Sequence, residues 1–518
     1  MKINWKILLV LVLVLSFWLR FYHLDKIPGS LNPDEKFNGY LAYSLLTTGK
    51  DLWGNFWPLT TRTFGSWTLI GMPLVMIPSV AILGLSEMAE RIPGVILGLF
   101  GTGLIFWVSN LLFKSKRTAL LAALFYALSP WGIFLSRISH ETVLGFTIFL
   151  LALGTFLSRQ VIWAGLFFGL SLLTHYAYFI FTPLFLAGLV FIYRRQWKSL
   201  LIFTPFFLVV GLGILRGSIG EVKDLGIFDS RDLIYWRVER FRNDQAHPLS
   251  DPLVKFHTKY LGISYQLAQN YLAVFSPTYL FDKGGEGLFH NLGFYGQLYL
   301  YDAVFILAGI IFLAKQGGTS AKIILLWILI SPLASIFTKD NPNSTRLYPL
   351  LGGLIFLSSF GAAKLLKNYF IIIGASLATI VLVFWFLEAY FVHFNVQRVR
   401  FLNFGYKEAA LVAQKYPDKK IVMVGPENFA YISFLFYNHY SPDLFRKEVS
   451  YYAPKTSGFQ FVKSFNKFEF KEKIDRSELS SDTLYIDYAK PWDNKNLISF
   501  PWGEALFTFF TKEEVSGN

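Results

Sequence analysis

Apolar residues run through this chain in long stretches, broken by short polar segments and a few much longer ones. A helix crossing a bilayer core needs roughly 20 mostly apolar residues. About eleven stretches approach that, near 4–20, 91–113, 118–135, 141–157, 161–176, 177–193, 199–215, 300–314, 322–338, 346–363 and 369–391. The flank of the first, Arg20-Phe21-Tyr22-His23, lacks the small residues of a leader-cleavage site, so it reads as a retained span. Thr68–Leu85 is apolar enough to span, but Pro73 and Pro78 interrupt it, and it reads as a helix lying along the membrane interface.

The polar segments alternate in character. With the N-terminus inside, the cytoplasmic segments are Met1–Lys6, Lys114–Arg117, Ser158–Gln160, Arg194–Lys198, Lys315–Lys322 and Lys364–Asn368. They hold 13 Lys or Arg residues and no Asp or Glu. Basic residues concentrate on the cytoplasmic side of membrane proteins, so this separation sets the orientation. Three large pieces then lie outside, at about 21–90, 216–299 and 395–518. The third differs in pattern. A helical stretch, Tyr406–Lys415, precedes Lys419-Lys420-Ile421-Val422-Met423-Val424-Gly425-Pro426, an apolar run closed by a turn signal, and Thr483–Ile486 is a second strand candidate. The prediction is a mainly α, polytopic membrane module over 1–394 with a small extracytoplasmic α/β domain over 395–518, in the plasma membrane.

Composition agrees: of 518 residues, 54% are hydrophobic and 16% charged, against about 25% charged in ordinary soluble proteins. Mean hydropathy is +0.44. The absence of cysteine excludes disulfides, thiolate catalysis and cysteine-based metal sites. The net charge of +14 is explained by the basic cytoplasmic ends and implies no nucleic-acid partner.

Candidate chemistry clusters in the outward segments. Asn32-Pro33-Asp34-Glu35 follows the first span. Adjacent carboxylates beside an apolar phase are unfavourable unless used, hydrated or paired. Asp34 suits a general base, with Glu35 beside it; alternatively both acids cap a helix beginning at Pro33. Trp53, Trp57, Arg62 and Trp67 suit either membrane anchoring or stacking on a sugar ring. Arg137, His140 and Glu141 stand at the mouth of two spans. Arg137 suits a lipid phosphate, or an ion pair with Glu141, and Glu87 with Arg91 is a second pair at helical spacing. In the loop Thr338–Arg346, Lys339 and Arg346 are outward cations suited to a phosphate or to lipid headgroups. His290 lies in a glycine-rich loop. A divalent ion at Asp34 and Glu87, with Glu35 or His140 in reach, is a further reading; no other cofactor is implied.

Together these residues resemble the GT-C superfamily, in particular bacterial glycosyltransferase family 39 and its aminoarabinose-transferase relatives. The resemblance follows the chain in order: Arg20; Pro33-Asp34-Glu35; Gly49; Trp57-Pro58; Leu83-Gly84-Leu85-Ser86-Glu87; Ala89-Glu90-Arg91-Ile92-Pro93-Gly94; Ser129-Pro130-Trp131; Ser136-Arg137; Phe275-Ser276-Pro277; Gly296-Gln297-Leu298-Tyr299; and Arg346-Leu347-Tyr348-Pro349. It departs at Gly284-Gly285, where relatives often read Gly-Asp. The resemblance implies an inverting transfer of a sugar from a polyprenyl-phosphate donor to a hydroxyl of a lipid, glycan or protein, on the outer face. Asp34 would be the base, and Arg137, Arg346 and Lys339 the phosphate-binding cations. A lipid-linked-sugar transporter and a non-catalytic membrane subunit are the competing readings. A transporter predicts polar groups at mid-membrane, whereas these lie in loops.

Overall fold

The computed structural model describes residues 4–64, 66–193, 203–205, 208, 227, 238–239, 258–285, 287, 289–426, 429–454, 460–477, 479–491, 493 and 495–516. Most of the span predicted near 199–215, the basic segment Arg194–Lys198 and about half of the middle loop lie outside the described residues. The chain divides into two compact units. One comprises Met1–Arg20, Ile96–Ser136 and Glu141–Phe386, the other Phe21–Val95, Arg137–His140 and Leu387–Asn518.

The first unit is helical. Among the described residues three helices are long and apolar enough to cross a membrane: Glu87–Phe113, Tyr348–Leu365 and Tyr369–Leu402. The stretch expected to span unbroken over 118–135 is two helices, Lys116–Leu128 and Pro130–Arg137, bent by 54°. The break follows from Pro130, which has no N–H to offer the carbonyl of Tyr126 one turn back. Arg20 replaces that donor. Its Nη2 donates to the Tyr126 carbonyl at 3.2 Å, and its Nη1 to the Ala127 carbonyl at 3.0 Å and to Ser16 Oγ at 3.0 Å. Gly98 leaves room for it, since a Cβ there would lie 2.5 Å from Arg20 Nε. Four of the other predicted spans appear as shorter apolar helices, Glu141–Leu157, Val161–Ser171, Tyr176–Ile192 and Gly318–Ala334. A 17-residue helix such as Glu141–Leu157 extends about 26 Å, just under a bilayer core of about 30 Å. The number of crossings is therefore not read from long straight helices alone.

Helices Leu300–Gln316 and Tyr348–Leu365 meet backbone to backbone. A Cβ on Gly361 would sit 2.0 Å from the Phe305 carbonyl oxygen and 2.6 Å from the Gly309 nitrogen.

The second unit is built on a seven-stranded mixed sheet. Its strands are β3 (Lys420–Val424), β4 (Ser450–Tyr451), β5 (Val462–Phe465), β6 (Phe468–Lys471), β7 (Thr483–Tyr488), β8 (Leu497–Ser499) and β9 (Ala505–Phe510), in the order β4-β5-β6-β3-β7-β9-β8. β3 is central and parallel to both neighbours, β6 and β7. Its four residues Ile421–Val424 are buried, as expected of a parallel strand covered on both faces. The sheet does not build its core alone. Leu31, Phe37, Leu41, Leu45, Leu52 and Leu85 from the first loop join Ile421, Phe434, Phe468 and Phe507 in one cluster. The segment read as a single interfacial helix over Thr68–Leu85 instead opens as strand β2 (Ser66–Leu69), paired with β1 (Thr60–Thr63), and becomes helical over Gly71–Leu83.

Gly361→Val is expected to destabilise the protein by about 1–3 kcal/mol or more, because the added carbons meet main chain that cannot turn aside. Gly374→Ala, with open space around the new Cβ, should be neutral or slightly stabilising. Thermal unfolding midpoints in detergent measure both.

Candidate active site

The acidic pair opens a helix, Pro33–Thr48, and its two members do different things. Proline at the first helical position fits because its missing N–H has no partner there anyway. Asn32 Oδ1 accepts from Glu35 N at 2.9 Å, and Glu35 Oε2 accepts from Asn32 N at 2.8 Å, a reciprocal capping box. Glu35 Oε1 accepts from Arg91 Nε at 3.1 Å. Both oxygens of Glu35 are thus engaged inside the protein. Asp34 is different. Of all residues from Leu31 to Ala42 it alone is not buried.

The expected Glu87–Arg91 ion pair is also replaced. Arg91 serves Glu35, while Glu87 accepts from Lys407 Nζ at 2.9 Å and from the Tyr437 hydroxyl at 2.7 Å.

Two buried guanidiniums hold the irregular segment that leads to the acids. Arg91 Nη1 donates to the carbonyls of Leu24 and Pro28, each at 2.9 Å, and its Nη2 to that of Ser30 at 3.1 Å. Arg137 Nη1 donates to the Tyr22 carbonyl at 2.8 Å. Its Nη2 donates to those of His23 at 3.3 Å and Ile27 at 2.6 Å, and its Nε to the Tyr390 hydroxyl at 3.2 Å. Carbonyls outside helix or sheet need donors when buried, and the planar fork of arginine supplies several at once. Arg137 is fully buried, and these donors are directed at main chain and at Tyr390. Ser139 ties the two together, donating to the Arg91 carbonyl and accepting from Gly94 N, both at 3.0 Å. His140 and Glu141 are buried.

The tryptophan loop is organised by buried Asp51. Its Oδ1 accepts from Trp53 N at 3.0 Å and Asn55 N at 2.8 Å, and its Oδ2 from Thr61 Oγ1 at 2.8 Å. Trp53 stacks on Tyr451 at 5.3 Å and 14°. The Arg62 guanidinium lies over Trp53 at 5.5 Å and over Trp67 at 5.7 Å. Trp53 is nonetheless exposed, and Trp57 more so, at 45%.

In the helical unit, Arg346 Nη1 donates to Thr338 Oγ1 at 3.0 Å and to Asp340 Oδ1 at 2.5 Å. Burial pushes the Asp340 carboxyl up, but Arg346 and hydrogen bonds from Thr338 and Asn343 outweigh it and hold it below the usual aspartate range. Lys339 beside it is exposed. The glycine-rich loop packs on this one: Gln297 Nε2 donates to Ser344 Oγ at 2.9 Å, and a Cβ on Gly285 would fall 2.5 Å from the Pro342 carbonyl oxygen. His290, in that loop, is half-buried. Among the described residues no three His, Asp or Glu side chains gather as a metal site, so the metal reading at Asp34 and Glu87 finds no ligand set there.

In its fold, helices with a mixed-sheet domain, the chain is similar to an archaeal oligosaccharyltransferase. Among solved structures, the chain resembles the oligosaccharyltransferase of Archaeoglobus fulgidus in complex with Zn and sulfate. The TM-score is 0.51 at 15% identity, over 83% of this chain and 61% of that one. It also matches AglB of the same organism, in complex with an inhibitory peptide and a dolichol-phosphate, with TM-score 0.48 and 15% identity over 84% of this chain and 64% of that one. ArnT from Cupriavidus metallidurans, bound to undecaprenyl phosphate, gives TM-score 0.45 and 13% identity, over 86% and 77%. The chain thus spans less than two thirds of the length of the two archaeal chains. No protein-family model matches the chain, and no curated protein matches it in sequence.

Arg137→Lys keeps the charge but loses the fork. It is expected to lower stability by about 2–4 kcal/mol, as buried carbonyls lose charged donors, and to leave the KM for a lipid-phosphate donor unchanged per folded molecule. A raised KM at unchanged stability would return Arg137 to the phosphate.

Proposed function

We propose that the protein is an integral-membrane glycosyltransferase that moves a sugar from a polyprenyl-phosphate carrier to an acceptor hydroxyl, with inversion, and that Asp34 is the general base. The observation that carries this is the difference between two neighbouring acids. Glu35 is buried in the capping box and the Arg91 pair, while Asp34, one residue earlier, is the single position of the stretch 31–42 that is half-buried rather than buried. A rigid carboxylate presented at a helix start is placed to take a proton from an incoming hydroxyl.

In the proposed step the acceptor oxygen attacks the anomeric carbon and Asp34 takes its proton. The bond from that carbon to the phosphate oxygen breaks with its electron pair, releasing the polyprenyl phosphate. A phosphate leaving group needs no strong acid, only cations on the developing charge. Arg346 and Lys339 are the candidates. Arg346 is already half-neutralised by Asp340, so Lys339, exposed and without an ion-pair partner among the described residues, is the more available of the two. The basic segments place the N-terminus in the cytoplasm and the acidic loop outside the plasma membrane in this reading. The acceptor class is a lipid, glycan or protein hydroxyl.

The test is transfer of label from a panel of radiolabelled polyprenyl-phosphate sugars into membrane material, wild type beside Asp34→Asn. Wild-type transfer with a loss of about 2–4 orders of magnitude in the variant is expected. Equal transfer by both would sink the assignment of Asp34. No transfer by either across the panel would favour a transporter of the lipid-linked sugar.

A further inference from the structure

We propose that the C-terminal segment from Leu387 onward is a positioning element for Asp34, and that Lys36 is the residue through which it acts. The proposal rests on the reading of Asp34 as the base. Lys36 lies two residues after Asp34, in the first turn of helix Pro33–Thr48, and is fully buried. Its Nζ donates to Ser433 Oγ at 3.0 Å, on helix Ala430–Tyr437, and stands 6.0 Å from the Tyr406 ring, on helix Tyr406–Gln414.

The contact is one of several of the same kind. The Tyr40 hydroxyl donates to the Tyr440 carbonyl at 2.9 Å. Arg446 Nη1 donates to Ser44 Oγ at 3.2 Å and to the Asp51 carbonyl at 2.9 Å. Gly39 permits the close approach, since a Cβ there would lie 2.9 Å from the Phe436 ring. Helix Pro33–Thr48 is thus gripped along its length by the C-terminal segment, and Lys36 is the grip nearest Asp34.

Lys36 is an unfavourable choice for packing alone. Burial pushes its ammonium down to about 8, against the pull of Glu35 on its own helix, Glu87 on helix Glu87–Phe113 and Glu408 on helix Tyr406–Gln414. A base whose folded value falls below its ordinary 10.5 gives a stability that rises with pH between about 8 and 10.5, where the unfolded chain still holds the proton. At pH 7 the buried charge therefore weakens the fold, and an apolar residue of similar length should be tolerated or better. What the ammonium adds is a directed bond at the base of the catalytic turn.

The test uses the full chain in nanodiscs, with Lys36→Met and Ser433→Ala beside wild type. Expected are an unchanged or raised unfolding temperature at pH 7 for Lys36→Met, with its rise between pH 8 and 10.5 abolished. In both variants amide exchange over residues 33–37 should speed up about tenfold or more, while β3 and β7 keep their protection. Turnover with the radiolabelled polyprenyl-phosphate sugar should fall about 10–100-fold with the donor KM within about twofold, as for a displaced catalytic group. Unchanged exchange over 33–37 in both variants overturns the proposal. So does unchanged turnover in both while Asp34→Asn abolishes transfer. If Asp34→Asn itself transfers normally, the reading of Asp34 fails, and the exchange data still decide whether Lys36 holds the turn.

Discussion

The interaction on which the second unit depends is the meeting of two buried guanidiniums with six main-chain carbonyls. Residues 22–30 have no helix or strand to satisfy their peptide groups, yet several are buried. An unpaired buried carbonyl is unfavourable by about 1–3 kcal/mol. Arg91 and Arg137 arrive from segments far along the chain and fill that need together. The segment becomes rigid without regular structure, and the helix that follows starts at a determined place. Removal of either arginine leaves orphaned acceptors, and the compensating charge of Glu35 as well in the case of Arg91.

A parallel logic holds in the helical unit. Pro130 breaks a helix and leaves the Tyr126 carbonyl with the Ser129 N–H alone, and Arg20 supplies a second donor. In each case an arginine assigned by type to ligand binding, or noted only as a motif, repairs backbone that a proline or an irregular loop has left unsatisfied. The chemistry that suits a guanidinium to a phosphate, several parallel donors in a plane, suits it equally to a set of carbonyls. Residue type alone does not separate the two uses; burial does.

That explains what was legible beforehand. Apolar helices such as Glu141–Leu157, Leu300–Gln316 and Tyr348–Leu365, the helix over Tyr406–Gln414 and the strands at Ile421 and Thr483 follow from local periodicity, and they form close to the predicted bounds. A helix beginning at Pro33 was readable from Pro33-Asp34-Glu35, and it forms with Asn32 and Glu35 as a capping box. The pairing of Arg91 was not, because helical spacing favoured Glu87, whereas the actual partner lies 56 residues earlier. Nor was the shared core of the first loop and the sheet, since nothing local in Phe37 or Leu41 points to Phe434 or Phe468. Lys36 gave no signal at all: a lysine after two acids reads as a solvated charge until the helix that covers it is seen.

The division of labour between the two acids follows from helix geometry rather than from residue type. Successive positions on a helix turn by about 100°, so neighbours in sequence cannot share a face. Glu35 occupies the third helical position, where its carboxylate folds back to the cap and meets Arg91. Asp34, at the second, is half-buried. Its shorter side chain does not replace Glu35 in the capping box, and Glu35 has no route to the surface that Asp34 occupies. An exchange of the two residues would keep the Asn32 cap but shorten the acid that answers it and meets Arg91. The order Asp-Glu after Asn-Pro puts one acid in the capping box and leaves the other half-buried at the second helical position.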